Sequence, residues 1–298
     1  MSAQIVLANG MFRSGSTFFF DTMRQCPDNV CYYEPFHPKM NVLIREEHQA
    51  SLGHSLTGSP WLEHITSGNL EEYYNYADSL PAYIRERMGY HSPLQMTRSA
   101  RQYFESLPLL AKRLNKNIFA CFNRAAFVLP EARQSFAGLK AVIAYTKRPS
   151  IQIAISFLRL YSVQRSFNLF SREFRDPWGV NLLFQHHYTT YSPLFLHASM
   201  PPTFFTFLAK VCYVNTVIDR HMKGVSDFVF DISESADAYV QSSRDLLERL
   251  GAESGVKSVV AYIQKTYRQD LFPAKIRHAY FDRYDKQLLE SVGFAELA

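Results

Sequence analysis

The sequence predicts an α/β chain with a mostly parallel central sheet and helices on both faces. Three observations predict it. Short apolar runs alternate along the chain with segments of helical periodicity. The first run, Ile5-Val6-Leu7-Ala8, feeds a glycine-bearing turn that opens a helix. A later run, Ala141 to Thr146, feeds Arg148-Pro149, and proline suits a first helical position because its missing N–H would have no partner there. The length of 298 residues and an apolar share of 47% suit one sizeable domain with a real core.

Residues 4–36 read as strand, loop, helix, strand. The helix starts near Ser16 or Thr17 and runs to Gln25, with Phe18-Phe19-Phe20 buried in its first turn, and Cys26-Pro27-Asp28-Asn29 stops it. Val30 to Tyr33 is the second strand. Residues 37–115 are rich in His, Tyr, Ser and Gly, with a polar loop over 53–60 and helical periodicity over 70–88. They read either as a mostly helical insertion above the sheet or as a helical layer on one sheet face. Strands follow at 117–124 and 140–146, then a helix from Pro149 to about Leu160. Residues 168–200, with His186-His187-Tyr188, read as a second, irregular insertion. A helix over 204–222, a strand over 226–231 and a helix over 236–250 ended by Gly251 complete the pattern. The late stretches 255–258 and 262–268 read as a solvated helix face ahead of a basic loop closing over a ligand.

The net charge of +5 is scattered, which fits anionic small ligands and not the clustered basic face of a nucleic-acid binder. An aromatic share of 15% serves a packed core ahead of an aromatic cleft. The four cysteines form no C-x-x-C pair, so no metal centre is expected. Cys121 and Cys212 read as buried thiols, with a Cys26–Cys31 disulfide as a minor alternative. No segment reaches the roughly 18 uninterrupted apolar residues of a membrane span. The N-terminus lacks the basic region of a signal peptide. A cytoplasmic protein is expected, the alternative being a chain whose membrane anchor has been trimmed.

The segment carrying most chemistry is Gly10-Met11-Phe12-Arg13-Ser14-Gly15-Ser16-Thr17. A strand, a tight loop and a helix start aim backbone N–H groups at one point and favour an anion there. The spacing matches the phosphate-loop pattern G-x-x-x-x-G-K-[ST], except that Ser16 stands where the lysine belongs. That lysine reaches the outer phosphates of a triphosphate, so its absence suits a smaller 5′ anion, with Arg13 as the replacement cation.

Arg13-Ser14-Gly15-Ser16-Thr17 and the apolar helix start resemble the 5′-phosphosulfate loop of sulfotransferases, in the form found in carbohydrate, tyrosylprotein and many bacterial members. Tyr32-Tyr33-Glu34-Pro35-Phe36-His37 is similar to the aromatic-Glu-Pro segment these enzymes place after their first helix. Ala141 to Pro149 followed by Ser156 is similar to their strand-Arg-Pro-helix-Ser signature. The resemblance implies a P-loop-like sulfotransferase fold with helical insertions at 37–115 and 168–200 on the acceptor side. It also implies the donor 3′-phosphoadenosine 5′-phosphosulfate (PAPS), with 3′,5′-bisphosphoadenosine as product and no metal. Arg13, Ser14, Gly15, Ser16 and Thr17 would bind the 5′ end, and Arg148 and Ser156 the 3′-phosphate. Glu34 would be the general base, with His37 as a weaker rival. The family's strand histidine or lysine is absent from Cys121-Phe122-Asn123, and Arg124 is the nearest substitute cation. The acceptor would be a hydroxyl on a glycan, lipid or small molecule.

Two other classes compete. A phosphate-loop kinase would need lysine at position 16 and an early strand ending in aspartate. A non-catalytic nucleotide-binding scaffold would not need Glu34.

Overall fold

The computed structural model describes residues 4–10, 14–35, 95–123, 125–136, 141–150, 152–153 and 204–267. Five strands form one sheet: β1 (Ile5–Gly10), β2 (Asn29–Tyr33), β3 (Asn117–Phe122), β4 (Ala141–Lys147) and β5 (Phe228–Asp231). Their order is β2-β3-β1-β4-β5, and every pairing is parallel. The expected α/β architecture with helices on both sheet faces is the one found. Every residue of β1, β2 and β3 is buried, which is why these strands read as continuous apolar runs rather than alternating ones.

Six helices accompany the strands among the described residues: α1 (Ser16–Met23), α2 (Arg98–Leu114), α3 (Leu129–Gln134), α4 (Phe204–Val225), α5 (Ala236–Arg249) and α6 (Val256–Thr266). The step from β1 to β2 runs in one direction across the sheet, and the steps to β3, β4 and β5 run in the other. Right-handed crossovers therefore put α1 on one face and α2, α3 and α4 on the opposite face. Ring contacts agree. On one face Phe19 meets Phe119 at 6.3 Å and Phe230 at 4.7 Å. On the other, Tyr103 and Phe104 of α2 meet Phe122 at 6.2 and 5.6 Å. Residues 119 and 122 are three apart on one strand, so they point to opposite faces. Phe18 joins the α1 face to Tyr239 of α5 at 5.2 Å and to Tyr262 of α6 at 6.1 Å.

The boundaries differ from the sequence reading for local reasons. α1 ends at Met23, whose carbonyl accepts from the Asn29 side chain at 3.0 Å. β5 begins at Phe228 because Asp227 carries its own side chain into the ladder, where Oδ2 accepts from the Ile143 N–H at 2.8 Å. α5 ends at Arg249, and Gly251 follows with φ 66°, the left-handed glycine expected there. Residues 98–114 are a layer on the sheet, packed on β1 and β3. Ala100, Tyr103, Phe104, Leu107, Leu110 and Ala111 make the buried stripe of α2. The late segment is also more than a solvated face: α6 exposes Lys257 and Lys265 but buries Val259 and Ile263. Cys26, Cys31 and Cys121 are buried and form no disulfide, which removes the Cys26–Cys31 alternative.

Candidate functional site

The crevice of an open parallel sheet lies beyond the carboxyl ends of the strands where successive crossovers diverge. Here β1 and β4 are neighbours. β1 leads through α1 toward β2 at one edge, and β4 leads toward β5 at the other. Gly10, the last residue of β1, pairs with Thr146, the last but one of β4. Glycine is needed at that pairing, because a Cβ on Gly10 would overlap Thr146 Oγ1 and Ser14 Oγ. The two hydroxyls instead meet each other at 3.1 Å, buried, and tie the loop after β1 to the end of β4.

Gly15 holds φ 92°, and a Cβ there would come within 2.7 Å of Ile232 Cδ1. α1 opens directly after it, and no side chain caps this N-terminus. The first intrahelical bond runs from the Phe19 N–H to the Gly15 carbonyl at 2.9 Å. The backbone N–H groups of the first turn thus carry the partial positive end of the helix toward the crevice. Ser14 and Ser16 are buried beside it.

Glu34 follows the last residue of β2. It is 5% exposed and adopts φ 49°, a left-handed conformation rare for a residue with a long side chain. Its N–H donates to the Cys121 carbonyl at 2.7 Å, which extends the β2–β3 ladder by one bond. Its carboxylate Oε1 accepts from Nδ2 of Asn123, itself 6% exposed. Asn123 Oδ1 is buried with no protein partner, so it presents an acceptor beside the carboxylate. Tyr33 lies between this pair and the loop, with its hydroxyl 2.7 Å from Thr17 Oγ1. Burial pushes the Tyr33 phenol up and the Glu34 charge adds to that shift. Hydrogen bonds with Thr17, Ser16 and Asn123 offset part of it.

Arg148 follows β4 and is 6% exposed, with Nε donating to Gln152 Oε1 at 3.3 Å. The Ile153 N–H donates to the Pro149 carbonyl at 3.1 Å, so a helical turn starts where Pro149 led one to expect it. Asn215 of α4 braces the turn from below, donating to Ser150 Oγ at 2.8 Å. Lys147 is engaged elsewhere, by an ion pair with Asp231 at 2.9 Å across the ends of β4 and β5. Burial opposes the charge of Asp231. The Ser233 hydroxyl and N–H and the Lys147 ammonium outweigh it and hold the carboxyl below its ordinary range. Tyr267, after α6, closes this side by donating to the carbonyls of Ile232 and Glu234, each at 2.7 Å. Burial, then the charges of Asp231 and Glu234, push its phenol up to about 12 against the pull of the Arg148 guanidinium.

Ser14, Gly15, Ser16, Thr17, Glu34 and Arg148 therefore lie at the carboxyl edge of one sheet. Arg13, His37, Arg124 and Ser156 lie outside the described residues, as do 37–94 and 168–200 with their expected insertions. Sequence reasoning missed Thr146, Asn123, Tyr33 and Tyr267. Their signal was only a position at or just beyond the end of an apolar run or helix. Among the described residues no cluster of three or more His, Cys, Asp or Glu is placed to hold a metal ion. No protein-family model matches the chain, and no curated protein or solved structure shows significant similarity to it.

Proposed function

We propose that the chain is a PAPS-dependent sulfotransferase acting on a hydroxyl acceptor. One observation carries the reading: an uncapped helix N-terminus behind a glycine-bearing loop, a buried carboxylate and a buried guanidinium stand along the carboxyl end of one sheet, from three separate stretches of chain. The residues fit such a donor. Gly10 and Gly15 place no Cβ at the two ends of the loop, and the first-turn N–H groups with the Ser14, Ser16 and Thr17 hydroxyls suit a 5′-phosphate. Arg13 would add a cation there. Arg148 offers paired N–H donors matching a 3′-phosphate, and Ser156 would add a hydroxyl to it.

Transfer is an in-line displacement. The acceptor oxygen forms a bond to sulfur while the bond from sulfur to the 5′-phosphate oxygen breaks, and its electron pair leaves with the bisphosphonucleotide. Glu34 takes the acceptor's proton as its oxygen becomes nucleophilic. Donors aimed at the leaving oxygen are worth about 2.7–4 kcal/mol each in sites of this kind.

The test is calorimetric titration with 3′,5′-bisphosphoadenosine, 5′-AMP and ATP-Mg. Wild-type protein is expected to prefer the bisphosphate. Arg148→Ala is expected to weaken the bisphosphate at least tenfold more than 5′-AMP. Preference for ATP-Mg would replace this reading with a triphosphate enzyme, and binding of none would point to a scaffold.

A further inference from the structure

We propose that Asn123 is the positioning residue for the Glu34 carboxylate, holding it in register with the anion loop. The inference rests on the reading of Glu34 as the base. Three observations carry it. Two tethers of Glu34 come from the end of β3: its N–H donates to the Cys121 carbonyl, and its Oε1 accepts from Asn123. The left-handed backbone of Glu34, φ 49°, is a conformation that surrounding contacts must impose on such a residue. Tyr33, the residue before Glu34, bonds Thr17 of the loop helix through its hydroxyl at 2.7 Å.

The end of β2 is thus tied on one side to β3, through Glu34 and Asn123, and on the other to the first turn of α1, through Tyr33 and Thr17. A hydrogen bond at one carboxylate oxygen fixes the plane of the group, and fixing the plane fixes where both oxygens point. A base must meet the acceptor's proton at about 2.6–3.2 Å, and small misplacements cost about a hundredfold in rate. Asn123 sets that geometry relative to the loop holding the donor, although it touches neither reacting atom.

The test exploits shape. Asn123→Asp keeps the size and the buried oxygen of the side chain but replaces the donating amide with an acceptor. Turnover at saturating donor is expected to fall about a hundredfold, with affinity for 3′,5′-bisphosphoadenosine within threefold of wild type. Asn123→Leu, which fills the same space with neither donor nor added charge, is expected to lose turnover likewise, whereas a purely packing role would leave it intact there. Wild-type turnover in Asn123→Asp overturns the proposal.

A second measurement does not depend on activity. Urea unfolding is run on Asn123→Asp, Glu34→Gln and the exchanged pair Asn123→Asp/Glu34→Gln, in which the amide now on β2's end can donate to the carboxylate now on β3's end. The exchanged pair is expected to recover most of the midpoint lost by Asn123→Asp. Additive losses in this cycle overturn the coupling. A protein that shows the coupling but transfers no sulfonate would overturn the sulfotransferase reading and leave the pairing established.

Discussion

Glu34 shows how much one residue can cost and return. Its left-handed backbone is worth about 1–2 kcal/mol of strain, and its buried carboxylate adds a desolvation penalty. Glu34→Gly removes both, together with the carboxylate's hydrogen bond to Asn123. Its urea midpoint is expected to be no lower than wild type, whereas truncating an ordinary buried side chain costs about 2–5 kcal/mol. Glu34→Gln keeps size and strain, and it is expected to bind bisphosphonucleotide normally. Both variants should lose about 10²-fold or more in transfer. Stability lost in Glu34→Gly, or turnover kept in Glu34→Gln, contradicts the role. The carboxylate was legible in the sequence because an aromatic strand runs straight into it. Its partner was not, because Asn123 lies 89 residues away and the strand order alone decides that β2 and β3 are neighbours.

At the scale of elements, the unit of β1, loop and α1 was the most legible part of the chain. Its glycines are demanded locally, by φ 92° at Gly15 and by the approach of Thr146 at Gly10. Gly15→Ala must carry a Cβ at that φ and press on Ile232. It is expected to lower the unfolding free energy by about 1–2 kcal/mol by urea titration. Adding Ile232→Ala should return only the smaller, steric part. Full recovery in the double variant would mean that the backbone conformation costs nothing. α2 was harder to read. Pro108 sits inside it and interrupts a helical pattern, yet the Thr97 cap, the left-handed Asn115 and a stripe packed on β1 and β3 carry the helix through. α3 is a single short element whose existence depends on packing against β4 rather than on propensity.

Across the whole molecule the buried phenols set the alkaline limit. Burial raises the pKa of Tyr33, Tyr103, Tyr145 and Tyr239 above the ordinary phenol value, and Tyr267 to about 12. A group whose pKa is raised on folding lends stability fully below its unfolded value and loses it as pH rises through the folded one. The sign is therefore a plateau up to about pH 10 and a steep loss above it. Lys147, raised by its hydrogen bond to Asp231, loses its contribution in the same direction. The phenolate absorbance of these five hydroxyls is expected as a step above the ordinary phenol range, in one transition with the loss of circular dichroism. Phenolate appearing well before unfolding would show that these hydroxyls reach water in the folded chain. No helix among the described residues is long and apolar enough to cross a membrane.

The sequence by itself determined the alternation of strands and helices, the glycine turn behind β1, and the proline start after Arg148. Each depends on near neighbours: periodicity, a missing N–H, a φ that only glycine adopts freely. The tertiary structure alone decided the order β2-β3-β1-β4-β5 and everything that follows from it. Thr146 meets Ser14 across 132 residues, Asn123 meets Glu34, and Lys147 is spent on Asp231 rather than on the crevice. Parallel pairing joins strands that are distant in the chain, and no local pattern encodes which strand becomes whose neighbour.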